Sequence, residues 1–150
     1  MTAEDIRARL SVIEPTDRVY AGLTDDDVTV LEQLLGDPED WIAGRAAFAL
    51  SRVGTPRAVD ALVTAANDPR PAVRVSVAAA VGQQDIALPD AAVSVLLQDT
   101  DPAVRRFAPL AVKASNGPRP REQLRVMTEQ DGLAAVREVA ADALRRIAPR

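Results

Sequence analysis

Cysteine and histidine are both absent from this chain of 150 residues. Their absence removes thiolate metal sites, cysteine nucleophiles, disulfides and histidine-based acid–base catalysis together. Aromatic residues make up only 3%, so base-stacking platforms for single-stranded nucleic acid are nearly missing. The 47% of hydrophobic residues must build a core mainly from Ala, Val and Leu, whose small side chains let helices approach closely. Lys113 is the only lysine among 18 basic residues. Apolar runs stay well short of the roughly 18 residues that signal a membrane span. The opening MTAEDIRARL lacks the apolar core of a signal peptide, so a cytoplasmic location and no membrane contact are expected. Neither a nucleophile elbow, nor a phosphate-cradling glycine loop, nor metal-ligand spacing occurs. No enzymatic activity, catalytic residue, metal or cofactor is expected.

What the chain has instead is a period. Asp37, Asp68, Asp99 and Asp131 stand 31, 31 and 32 residues apart, each followed five positions later by an aliphatic residue: Ile42, Val73, Val104 and Val136. Self-similarity at such a spacing means stacked supersecondary units. Counted from the aliphatic residue, offsets 0, +4, +7 and +8 are apolar in all four copies, which is the spacing of one helix face. Each of these inner helices follows another helix, as in Leu31–Leu35 or Leu62–Ala66. Asp37-Pro38, Thr55-Pro56, Asp68-Pro69, Asp101-Pro102 and Gly117-Pro118 read as helix starts. Gly54, Gly82 and Gly117 read as stops, and Pro109 should kink the third inner helix or tighten its start.

The expected fold is therefore all-α: a right-handed α-solenoid, or α-α superhelix, of about four helix pairs with an N-terminal helical cap. The chain is read as a single domain, 1–150. Its cap covers 1–23, with one helix over 2–13 and a short segment near Asp17 to Leu23. The repeats cover 24–54, 55–83, 87–116 and 118–148. Charge is uneven along it, with −8 over residues 1–40 and +4 over the rest.

The pattern D-x-x-x-x-V-R-x-x-A-A-x-A-L-G, closest at Asp68-Pro69-Arg70-Pro71-Ala72-Val73-Arg74 and ending Ala78-Ala79-Ala80-Val81-Gly82, resembles the short HEAT-like repeat of the phycobilin-lyase type. The resemblance covers residues 24–148. It implies a scaffold whose relatives include protein-interaction modules, cofactor lyases with their chaperones, and DNA glycosylases. It also implies that Asp68 with Arg74, Asp99 with Arg105 and Asp131 with Arg137 form a structural ladder stapling neighbouring turns. The first copy departs from the pattern, with Ala43 in place of the Arg.

With offsets 0, +4, +7 and +8 buried, the intervening positions should face a groove. They place Arg45, Phe48, Arg52, Val75, Ala79, Arg106, Phe107, Leu110 and Val139 on a concave face, together with Gly44 and Ser76. An apolar strip rimmed by Arg marks a protein-binding groove. Trp41, where the other copies have Ala, either fills the edge of the stack or anchors a partner. Asp25, Asp26 and Asp27 read as negative charge at a helix N-terminus. The expected function is a non-catalytic scaffold or adaptor binding another protein's peptide or helix, with the chain a monomer or weak homodimer. A lyase-like or chaperone-like role in holding a cofactor or client is the alternative. Nucleic acid, through Arg105, Arg106, Arg119, Arg121, Arg125, Arg145 and Arg146, is disfavoured by the net acidity and missing aromatics.

Overall fold

The computed structural model describes residues 2–12 and 17–148. Among them are ten α-helices and two short 3-10 helices, with no strand. They run α1 (Ala3–Leu10), α2 (Asp17–Tyr20), a 3-10 helix (Asp25–Asp27) leading into α3 (Val28–Leu35), α4 (Asp40–Val53), α5 (Pro56–Ala65) and α6 (Pro71–Gln83). Then come α7 (Asp90–Leu97), α8 (Pro102–Phe107) with a second 3-10 helix (Ala108–Ala111), α9 (Pro118–Gln130) and α10 (Ala134–Ile147). The pairs α3–α4, α5–α6, α7–α8 and α9–α10 are the helix pairs that the resemblance implies. The helix expected over 2–13 is shorter, and Ile13 lies outside the described residues.

The chain divides into two compact units, Met1–Val77 and Ala78–Arg150. In the first, α3 packs on α4 and α5, and α1 lies against α3 and α4. In the second, α9 packs on α7 and α10, and α8 packs on the same two helices. The repeated apolar offsets make the core. Ile42, Ala46, Ala49, Leu50, Val73, Val77, Ala80 and Val81 are fully buried, as are Val104, Ala108, Ala111 and Val112. Of the last copy, Val136, Ala140 and Ala143 are buried and Leu144 is half-buried.

Each recurring Asp makes the same turn. Its Oδ1 accepts the main-chain N–H two residues on: Glu39 at 3.0 Å, Arg70 at 2.9 Å, Asp101 at 2.9 Å and Leu133 at 3.0 Å. This is the Asx turn, a side chain standing in for a main-chain turn. Every inner helix then begins three residues after its Asp, at Asp40, Pro71, Pro102 and Ala134. Asp37-Pro38 and Asp68-Pro69 are therefore turn residues ahead of the helix, not its cap and first residue. Thr55-Pro56, Asp101-Pro102 and Gly117-Pro118 do start helices as expected.

The glycine readings hold at one position of three. Gly54 ends α4 at a φ of 65°, the left-handed conformation that glycine adopts without strain. Gly117 instead precedes α9 as its N-cap. Gly82 lies inside α6, where a Cβ would stand 2.8 Å from Leu110 Cβ; it is a close-approach glycine, not a stop. Gly44, expected on an open face, is buried, and a Cβ there would meet Ser76 Oγ at 2.6 Å. Pro109 acts as its missing N–H dictates: α8 gives way after Phe107 to the tighter 3-10 helix.

Gly82→Ala should therefore cost about 1–3 kcal/mol, the range for overpacking. Gly132→Ala, with nothing within 4 Å of the added Cβ, should stay within about 0.5 kcal/mol of wild type, as open surface sites do. Urea unfolding of the two variants checks the contrast.

Candidate functional site

Short helices end often, and each end leaves carbonyls without an intrahelical partner. Much of this chain's basic charge meets that need. Arg74, Arg105 and Arg137 each donate from Nη1 to the main-chain carbonyl of the Asp six residues earlier, at 2.8, 3.0 and 2.7 Å. In the first copy, where Ala43 is fully buried, Arg70 takes over, donating to Asp37 O at 2.7 Å and Leu35 O at 2.5 Å. Arg121 serves the carbonyls of Ala114, Asn116 and Ile147. Arg146 donates to the carbonyl of Val112, after the break that follows α8, and to that of Pro109, which also accepts the Val112 N–H. Lys113 donates to Gln84 O at 2.8 Å; burial, with Arg146 nearby and against Asp85, pulls its pKa down.

The Asp side chains complete the ladder positions. Arg105 Nε bonds Asp131 Oδ2 at 2.9 Å, tying one repeat's helix to the next repeat's turn. In the first unit Arg7, on α1, makes the matching bond to Asp37 Oδ2 at 2.8 Å, and Asp68 pairs with Arg70 at 3.1 Å. The hydrogen bond from Arg7 holds the Asp37 carboxyl below its ordinary range. Burial pushes Asp131 up, but the Leu133 N–H and the Arg105 guanidinium outweigh it and hold it low. The acidic run divides into separate roles: Asp27 accepts the Thr24 N–H at 2.9 Å, and Asp25 accepts from Thr55 and Arg57 of the next pair.

The residues expected on a concave face are variously placed. In the first unit Arg45 donates to the carbonyls of Leu10 and Val12 and lies 5.0 Å over the Trp41 ring. Arg52 pairs with Asp17 at 2.8 Å and lies 5.6 Å over Tyr20. Both side chains thus hold the N-terminal segment onto α4 rather than lining the rim of a groove. Phe48 and Val75 are half-buried. Trp41 is 47% exposed, so it does not fill a core. In the second unit Arg106 is exposed, Leu110 is 39% exposed, and Ala79, Phe107 and Val139 are half-buried.

The sequence reading missed the outer helices. In the first unit a cleft of about 490 Å³ lies between α3 and α5, lined by Glu32, Leu35, Asp60, Ala61, Thr64 and Asp68 among others. In the second, a cleft of about 450 Å³ lies between α7 and α9, where Leu97, Gln98, Arg119, Gln123, Val126 and Met127 line it with Glu122. The two occupy matching positions two repeats apart: Leu35 answers to Leu97, Asp60 to Glu122, Ala61 to Gln123 and Thr64 to Val126. The available signal was Val126, an apolar residue at a position that is Thr in the earlier copy. Among the described residues, the other exposed large apolar side chains include Val95 and Leu133 in the second unit and Val12 in the first.

Residues 28–96 match the family model described as HEAT repeats, a span running from the first residue of α3 into α7. The match supports a HEAT-like repeat architecture, and HEAT repeats generally mediate protein–protein interaction. No curated protein matches the chain. No described helix is long and apolar enough to cross a membrane.

Removing the Arg45 side chain should free the end of α1. Arg45→Ala is expected to speed amide exchange across Ala3–Leu10 about tenfold, the factor that about 1.4 kcal/mol of lost hydrogen bonding gives, with α9 and α10 unaffected. The lowered carboxylates give stability that is complete above their ordinary pKa of about 3.9 and is lost as pH falls through the lower folded values. Asp131→Asn keeps an acceptor for Leu133 N–H but cannot titrate. Its melting temperature should fall less than that of wild type between about pH 5 and pH 2.

Proposed function

We propose that the chain is a non-catalytic protein-recognition domain of HEAT-like repeats, of the short type, that takes a partner's apolar peptide or helix on its inner helices. The observation that carries this reading is Leu110, 39% exposed on the 3-10 segment that Pro109 creates. Exposed Arg106 and half-buried Phe107 stand close before it in the chain. An aliphatic anchor beside a cation suits an amphipathic segment with an acidic edge. Ala79 and Val139 extend that surface in this reading, and Phe48 and Val75 supply the corresponding apolar residues of the first unit. Trp41 remains an edge anchor, with Arg45 stacked on it. The rim role expected of Arg45 and Arg52 passes to Arg106, because the first two are engaged with the N-terminal segment.

The carbonyl-bound arginines also weigh against nucleic acid. Among the candidates for phosphate contact, Arg105, Arg121 and Arg146 are bonded to main-chain oxygens, and Arg125 and Arg145 to neighbouring acids. Breaking those bonds would offset the gain from phosphate.

The test compares wild type with the Arg106→Glu, Leu110→Asp double variant in affinity capture from the source cell, with circular dichroism confirming unchanged helicity. The partner recovered with wild type should bind the variant at least about tenfold more weakly, equivalent to about 1.4 kcal/mol. Undiminished binding by a folded variant overturns the reading.

A further inference from the structure

We propose that the cleft between α7 and α9 is a second binding site, which takes the C-terminal end of a partner peptide, with the free carboxylate at Arg119 and an aliphatic side chain at Val126. The site is separate from the inner-helix surface and does not depend on it. The observation that carries it is a cation released from its partners between one unit and the other. In the first unit Arg57, the second residue of α5, is engaged: Nη1 donates to the main-chain oxygen and Oδ2 of Asp25 at 3.1 and 3.2 Å, and Nη2 to Thr29 Oγ1 at 3.1 Å. Arg119 holds the same place in α9. The pairing of Leu35 with Leu97 sets a shift of 62 residues, and at that shift Asp25 and Thr29 become Ala87 and Ala91.

Arg119 thus keeps the cation and lacks both side-chain acceptors. It is exposed and has no hydrogen-bond or ion-pair partner among the described residues. It lines the second cleft, about 450 Å³ in volume, whereas Arg57 lies outside the lining of the first. The acids about the start of α9 are already engaged. Asp90 accepts from Asn116 Nδ2 at 2.8 Å and from the Gly117 N–H at 3.1 Å, and Glu122 accepts from Arg125 at 2.5 Å. With Glu122 offset by Arg125, the cleft carries net positive charge at Arg119. A guanidinium fork without a partner is matched by a carboxylate, which it binds through two parallel N–H bonds.

The rest of the lining defines what the carboxylate is attached to. Val126 is 43% exposed, and Met127 and Leu97, nearly buried, close the floor beneath it. From Arg119 to Val126 the helix makes two turns, about 10 Å, the length of about three extended residues. Residues two apart in an extended peptide face the same way. A last residue bound at Arg119 therefore sets the side chain of the residue two before it against Val126. Glu122 lies between the two, one turn from each, and lines the cleft. One of its oxygens holds Arg125, and the other is left to accept a main-chain N–H of the bound segment. A hydrocarbon chain of the same length would desolvate that carboxylate without bonding it. Glu122 thus selects a peptide over a fatty acid, although both carry an aliphatic carboxylate.

The probe is N-acetyl-leucyl-alanyl-leucine with a free carboxylate, titrated into the full chain and followed by NMR at the Met127 methyl and the Arg119 Nε–H. Wild type should show saturable shifts at both groups with millimolar affinity, as befits a fragment of this size. The C-terminal amide of the same peptide, and N-acetyl-triglycine, should bind at least about tenfold more weakly. Arg119→Gln should melt as wild type does, since the side chain has no partner to lose. It should weaken the acid to the level of the amide and leave the affinity for the amide unchanged. The proposal is overturned if the amide binds as tightly as the acid, if octanoate or inorganic phosphate binds more tightly than the peptide, or if wild type shows no saturable shift in the millimolar range. Full retention of the peptide by Arg119→Gln, or a lower melting temperature for that variant, would also overturn it.

Discussion

The unmet carbonyl at the end of a short helix is the constraint on which this structure turns. Most of its helices run to only two to four turns, so a large share of the main chain lies near an end. Water can satisfy such groups only where they are exposed, and buried ones must find a donor. Arginine suits the task because its planar fork reaches two or three oxygens at once, as Arg70, Arg105 and Arg121 do. A lysine in the same place offers a point charge and a single well-directed bond, which is what Lys113 supplies to Gln84. The near absence of lysine is thus consistent with the architecture and does not imply a nucleic-acid surface.

The Asx turn and the arginine are two halves of one device. The Asp side chain folds the turn forward onto the next N–H, and the arginine six residues on reaches back to the same residue's carbonyl. Both polar ends of the turn are then met from within one repeat. The first copy shows that the rule concerns the carbonyl and not the arginine's place in the sequence. There the arginine position is a buried alanine, and Arg70 arrives from the following turn to make the same bond.

Much of the fold was legible in the sequence because helical periodicity is a local signal repeated four times. The offsets that read as apolar are buried in every copy, save for the half-buried Leu144 of the last. What was not legible depends on partners about 30 residues away in the chain. Gly82 looks like a helix stop until Leu110 is seen against it. Arg45 looks like a free rim cation until the end of α1 is placed beneath it. Of the five turn dipeptides, three start a helix and two, Asp37-Pro38 and Asp68-Pro69, fill the turn ahead of one: Asp-Pro is compatible both with a cap followed by a first helical residue and with an Asx turn, and only the position of the following N–H tells them apart. The outer clefts are not legible from the repeat because their linings differ between copies, as at Thr64 and Val126.

Arg105 holds two carbonyls of its own turn and the carboxylate of the next. One side chain therefore carries both the closure of a repeat and its attachment to a neighbour. A stretch of about 31 residues moved in phase keeps each such arginine with its own turn, whereas the same length cut out of phase would separate the two. The seams are not all alike, because the first copy draws its donor, Arg70, from the copy after it: a second copy lost from the array would leave the carbonyls of Leu35 and Asp37 without that donor.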